Sequence, residues 1–92
     1  MQTVKEVVDL LEYEFDFQLL IEGDGLDEDA MAAYFTEHFD GDSLLVVGDE
    51  ELLKVHFHTN EPWDALAYCA TLGDIYDIVI ENMKRQTDDL EG

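Results

Sequence analysis

The sequence predicts an α+β fold, a two-layer sandwich in which a four-stranded antiparallel sheet carries its helices on one face. Three observations point there. The chain has 92 residues, enough for a single domain over 1–92 with one core. Its hydrophobic residues make up 47% of the total and include five Phe, four Tyr and one Trp, apolar material that a disordered acidic chain lacks. The period of those residues also switches along the chain, in the order strand, helix, strand, strand, helix, strand.

Residues 1–11 (MQTVKEVVDLL) place apolar side chains at helical spacing without a clear cap, which fits a short helix or a lead-in. Tyr13 to Ile21 alternates, with Tyr13, Phe15, Phe17, Leu19 and Ile21 on one side and Glu14, Asp16, Gln18 and Leu20 on the other; period two predicts a strand. Glycines at 23 and 25 break the chain, and Asp27 is the expected N-cap of a helix over Glu28–Phe39 with acidic residues in its first turn. Asp40-Gly41-Asp42 is read as the end of that helix, and Gly41-Asp42-Ser43 as a turn. Ser43–Val47 and Leu52–Thr59 read as strands joined by a connection of hairpin length. Pro62 suits the first turn of a helix over Trp63–Leu72, closed by Gly73. Ile75–Ile80 reads as the last strand, and the acidic tail Thr87–Gly92 is expected to fray. This order matches the ferredoxin-like βαββαβ arrangement, in which two right-handed crossovers put both helices on one sheet face and make the first and third strands central neighbours. Phe15, Phe17, Val55, Phe57 and Ile78 are then expected in the core, and Leu20 and Val79 on the open face.

The charge excludes several functions. With 24 Asp and Glu against 4 Lys and Arg, the formal charge is −20. Nucleic-acid affinity comes from cations that neutralise phosphates, so no nucleic-acid partner is expected, and an anionic membrane is disfavoured for the same reason. No apolar run approaches the ~18–20 residues of a spanning helix, so membrane insertion is not expected. The N-terminus has no basic start followed by an apolar stretch, and one cysteine, Cys69, forms no internal disulfide. Both features fit a cytoplasmic protein. A surface this acidic also fits adaptation to high salt.

One constellation carries possible chemistry. His56 and His58 lie two apart in a strand, so both imidazoles leave the face opposite Val55 and Phe57. On the neighbouring strand the core claims Phe15, Phe17 and Leu19 and turns Glu14, Asp16 and Gln18 to that same open face. A carboxylate and two imidazoles together suit a borderline divalent metal, Zn²⁺ foremost, with a fourth position for water or another ligand. His-x-His on an exposed strand also arises as plain polar alternation, and spacing alone leaves both readings standing.

The run Gly41-Asp42-Ser43-Leu44-Leu45-Val46-Val47-Gly48-Asp49, followed by Lys54-Val55-His56-Phe57-His58-Thr59-Asn60-Glu61-Pro62, by Gly73 and by Ile80-Glu81-Asn82-Met83-Lys84-Arg85-Gln86, resembles the middle domain of the dihydroxyacetone-kinase-like proteins, the ATP-binding subunits of bacterial fatty acid kinase and their relatives. The resemblance extends from about Tyr13 to Gln86. It implies a domain that joins an ATP-binding kinase domain to a C-terminal domain, contributes to dimerisation and holds a zinc-type metal. In that family the ligands are a Cys in a Tyr-Cys-Thr-Glu-Phe strand and the two His of a Lys-Val-His-x-His strand. The two His match His56 and His58; the Cys aligns with Asp16, within Phe15-Asp16-Phe17-Gln18, so the chain departs from the family there. A harder ligand lowers selectivity for zinc and also suits Mn²⁺ or Fe²⁺.

Other residues have plainer readings. Cys69 packs as a small apolar residue, and His38 answers the negative end of its helix. Asp77 and Glu81 are expected on the open face as solvated carboxylates. Three functions are thus in view. The preferred one is a noncatalytic metal-binding and dimerisation or interaction module, partnered by a second copy or by a kinase domain. The second is a small metal-dependent hydrolase with Glu14 or Glu81 as general base. The third is a metal-free scaffold that binds another protein through Leu20 and Val79.

Overall fold

A computed structural model describes residues 12–86; the readings made for residues 1–11 and for the tail from Thr87 lie outside them. The elements are β1 (Phe15–Glu22), α1 (Glu28–His38), β2 (Gly41–Gly48), β3 (Leu52–Thr59), α2 (Pro62–Ala70) and β4 (Asp74–Asn82). The four strands form one sheet in the order β2-β3-β1-β4, and every neighbouring pair is antiparallel. This is the ferredoxin-like βαββαβ sandwich expected from the element order, with β1 and β3 at its centre.

Local chemistry sets the helix ends. The Asp27 carboxylate accepts from the Ala30 N–H at 3.0 Å, and Glu28 and Asp29 occupy the first turn of α1, where the N-terminal dipole favours negative charge. The helix stops one residue before the expected end: Phe39 is extended, and its N–H bonds to the Phe35 carbonyl. Pro62 opens α2 as expected. The role read for Gly73 needs correction. The C-cap of α2 is Thr71 in right-handed conformation, and Gly73 is needed because a Cβ there would meet the Glu22 carbonyl of β1.

The core lies between the sheet and the two helices. Phe17, Leu19 and Ile21 from β1 and Leu53, Val55 and Phe57 from β3 alternate inward and are essentially buried. They meet Met31 and Phe35 of α1 and Ala65 and Cys69 of α2. Phe35 crosses Phe57 edge to face with centroids 5.1 Å apart, and Tyr34 stacks on Tyr68 at 3.8 Å. Each large side chain so buried contributes about 1.5–3 kcal/mol, which makes β1 and β3 the best-anchored strands.

Two β-bulges interrupt the edge strands. In β4, Asp77 and Ile78 lie between the pairs Gln18–Val79 and Leu20–Tyr76, where β1 has Leu19 alone; in β2, Ser43 and Leu44 lie between Asp42–His58 and Leu45–His56, where β3 has Phe57 alone. One residue of each bulge takes the left-handed conformation, Asp77 at φ 49° and Ser43 at φ 55°. The first bulge overturns the expected burial of Ile78, which is 44% exposed, because the extra residue breaks the alternation on which that expectation rests. It also takes Asp77 out of the regular open-face row. Phe15 is half-buried rather than buried; it begins its strand and packs edge-on against exposed Trp63. The second bulge places Gly41 and Asp42 inside β2, so the turn read for Gly41-Asp42-Ser43 is replaced by strand.

Candidate metal centre

Strand pairing sets out the open face as rows. Directly paired residues share a face, so one row reads Asp42, His58, Asp16, Glu81 and the next Leu45, His56, Gln18, Val79. The third reads Val47, Lys54, Leu20, Tyr76. Leu20 and Val79 thus lie on the open face as expected, Leu20 half-buried and Val79 exposed.

Asp16, His56 and His58 come together where the first two rows meet. The two Nε2 atoms are 3.2 Å apart, and Asp16 Oδ1 lies 3.6 Å from that of His56 and 3.7 Å from that of His58. All three side chains are partly shielded, at 18% exposure for Asp16, 27% for His56 and 25% for His58. A tetrahedral cation bound at about 2.0–2.2 Å requires ligand atoms about 3.3–3.6 Å apart. The triangle therefore matches one face of such a polyhedron, and the three donors fit a cation without rearrangement of the strands. Among the described residues this is the group of His, Cys, Asp and Glu with donor atoms gathered closely enough to hold a metal.

Neighbouring groups orient the donors. The Gln18 side-chain amide donates to both Asp16 oxygens, at 3.3 and 3.5 Å. Asp42 Oδ1 lies 3.6 Å from His58 Nδ1, on the far side of the ring from the cluster. The sequence reading missed Asp42 because only the β2 bulge brings it to this face. The candidate bases of the hydrolase reading are placed differently. Glu81 pairs with Asp16 across the strands, and its Oε2 accepts from the Gln86 amide at 2.7 Å. Glu14 precedes β1; its N–H donates to Asn60 Oδ1 and its carbonyl accepts from the Met83 N–H.

The remaining singled-out residues have structural roles. Burial pushes the Cys69 thiol up to about 12, so it stays protonated and unreactive at neutral pH. His38 closes α1 with its ring 4.1 Å from that of Tyr34. A cavity of about 290 Å³, lined in part by Leu26, Ala30, Met31 and Tyr68, lies among the helices and not at the triad.

A two-layer sandwich with a His-x-His strand beside a carboxylate strand defines a class of kinase-associated middle domains, and the chain belongs to it. Residues 12–90 match the profile of the FakA-like middle-domain family, the middle domain of fatty acid kinase. Over 46 residues the chain is 52% identical to Protein YloV of Bacillus subtilis and 48% identical to an uncharacterised protein of Staphylococcus saprophyticus. A Staphylococcus aureus protein is 46% identical over the same length. Each match covers 50% of this chain and 8% of the relative, so the chain corresponds to a small part of these longer proteins.

Proposed function

We propose that the chain is a noncatalytic metal-binding module of a fatty-acid-kinase-type protein, holding one divalent cation on Asp16, His56 and His58. The observation that carries this reading is the triangle of donor atoms with edges of 3.2–3.7 Å. Zn²⁺ is the first choice for a tetrahedral nitrogen and oxygen set, and Mn²⁺ or Fe²⁺ competes because a carboxylate replaces the softer thiolate. The cation joins β1 to β3, the two strands that anchor the core. Its binding free energy therefore adds to the stability of the fold, by ~2.7 kcal/mol at a hundredfold excess over the dissociation constant.

The module's working surface is the open sheet face, which docks a second copy or a cytoplasmic kinase domain. The hydrolase reading has less support, because Glu81 is engaged by Gln86 and the cavity lies on the other layer. The test is elemental analysis of protein purified without chelator or immobilised-metal resin. About one equivalent of divalent metal in the native chain and none in His56→Ala supports the reading, whereas a metal-free native chain that shows no thermal shift with Zn²⁺, Mn²⁺ or Fe²⁺ sinks it. Sedimentation at micromolar concentration tests the pairing: a dimer supports a second copy, and a strict monomer leaves the face to a kinase domain.

A further inference from the structure

The two imidazoles of the cluster are not equivalent. Across β2, His56 faces Leu45, whereas His58 faces Asp42; across β1, His56 faces Gln18 and His58 faces Asp16. His58 thus has a carboxylate on each side, and the one at Asp42 approaches Nδ1, the ring nitrogen turned away from the cluster.

That approach is built into β2 by backbone features. Gly41 carries no side chain where a Cβ would strike the Phe57 ring and the His58 carbonyl, so β2 comes close to β3 at this point. The bulge follows immediately, with Ser43 in the left-handed region. Without the extra residue, strict alternation would put Asp42 and Leu45 on opposite faces; with it, both face the imidazoles. Asp42 is 56% exposed and lies outside the buried core, so its position is not explained by packing.

We propose that Asp42 is the positioning residue of the site, accepting the His58 Nδ1–H and thereby fixing the tautomer that presents a bare Nε2 to the cluster. The 3.6 Å separation is longer than a formed hydrogen bond, and it closes as the exposed carboxylate turns toward the ring. With His58 Nε2 bare, the 3.2 Å contact is completed by His56, which donates its Nε2–H to His58 in the metal-free chain. His58 is thus ready to ligate through Nε2, and His56 gives up its proton when a cation arrives. A carboxylate on the distal nitrogen of a ligating histidine raises its basicity and fixes its ring. The consequence for cation affinity rests on the metal-binding reading above; the tautomer does not.

Two measurements on the 92-residue chain separate these claims. Long-range ¹H–¹⁵N correlation on chelator-treated protein, at a pH where the imidazoles are neutral, reads the tautomers directly. His58 in the native chain is expected as Nδ1–H with Nε2 bare, Asp42→Asn is expected to keep that form through its amide oxygen, and Asp42→Ala is expected to lose it. Zn²⁺ titration of the same proteins is expected to show about 10–100-fold weaker binding in Asp42→Ala and near-native binding in Asp42→Asn. Asp42→Val, a strand former without an acceptor, stands in if the alanine variant folds poorly. The proposal is overturned if the alanine or valine variant keeps the native tautomer, or if Asp42→Asn loses it as fully as Asp42→Ala. A native chain that takes up no metal overturns the metal-binding reading, while the tautomer result still decides the role of Asp42.

Discussion

Asp16 offers the cluster a hard carboxylate oxygen at the position where the family resemblance places a thiolate, and that exchange governs which cation binds best. Asp16→Cys is expected to tighten Zn²⁺ and to weaken Mn²⁺, read by competition titration with a chromophoric chelator. His56→Ala and His58→Ala are expected to abolish binding with stability changed by no more than about 0.5 kcal/mol, as for surface substitutions generally, because both rings lie on the open face. Cys69 is the opposite kind of residue. Its thiol, pushed up to about 12 by burial, is expected to resist alkylation at pH 7 in the native chain and to react once urea unfolds it. The ligand set was legible in the sequence because strand parity is local: two His two apart share a face wherever the strand is regular. Asp42 was hidden because its direction depends on a left-handed Ser43, a residue type that carries no signature for that conformation.

Regular elements and irregular ones differ in how they tolerate change. Val55 is fully buried in β3, and Val55→Ala is expected to cost roughly 2–4 kcal/mol, as large-to-small core changes do. Ile78 looks equivalent by sequence, yet it sits beside the β4 bulge and is 44% exposed. Ile78→Ser is expected to change chemical-denaturation stability by no more than about 0.5 kcal/mol. At the β2 bulge, Ser43→Gly relieves a left-handed residue of its Cβ and is expected to stabilise by up to ~1 kcal/mol. The six elements were readable because hydrophobic period and the Asp27 and Pro62 signals agree. Both bulges were not, since each inserts one residue into a run whose composition is that of an uninterrupted strand. The misplacement of Ile78 and the turn read at Gly41–Ser43 both follow from that.

Across the whole molecule, charge is the dominant unbalanced term. The formal charge is −20, and the three ion pairs found among the described residues all involve an imidazole. Most carboxylates are therefore uncompensated, and the melting temperature is expected to rise with NaCl as the screening length falls to about 10 Å at 0.1 M. Alkali acts in the other direction. The Tyr13 hydroxyl donates to Asp40 Oδ1 at 2.8 Å, which, with some burial and nearby carboxylates, pushes it up to about 12; Cys69 is raised to about 12 by burial. Both groups keep their protons longer in the folded chain than in the unfolded one, where they titrate near about 10 and 8.5. Their contribution is full below those values and is lost as pH climbs toward about 12, so a flat stability profile to about pH 8.5 followed by a decline is expected. The central claim, that Asp16, His56 and His58 bind one cation together, is tested most directly by zinc X-ray absorption on the reconstituted chain. The expected spectrum has nitrogen and oxygen scatterers only, near ~2.0–2.1 Å, with the outer-shell signature of two imidazoles that disappears in His58→Ala. A sulfur scatterer near ~2.3 Å, or zinc bound equally well after that substitution, would contradict it.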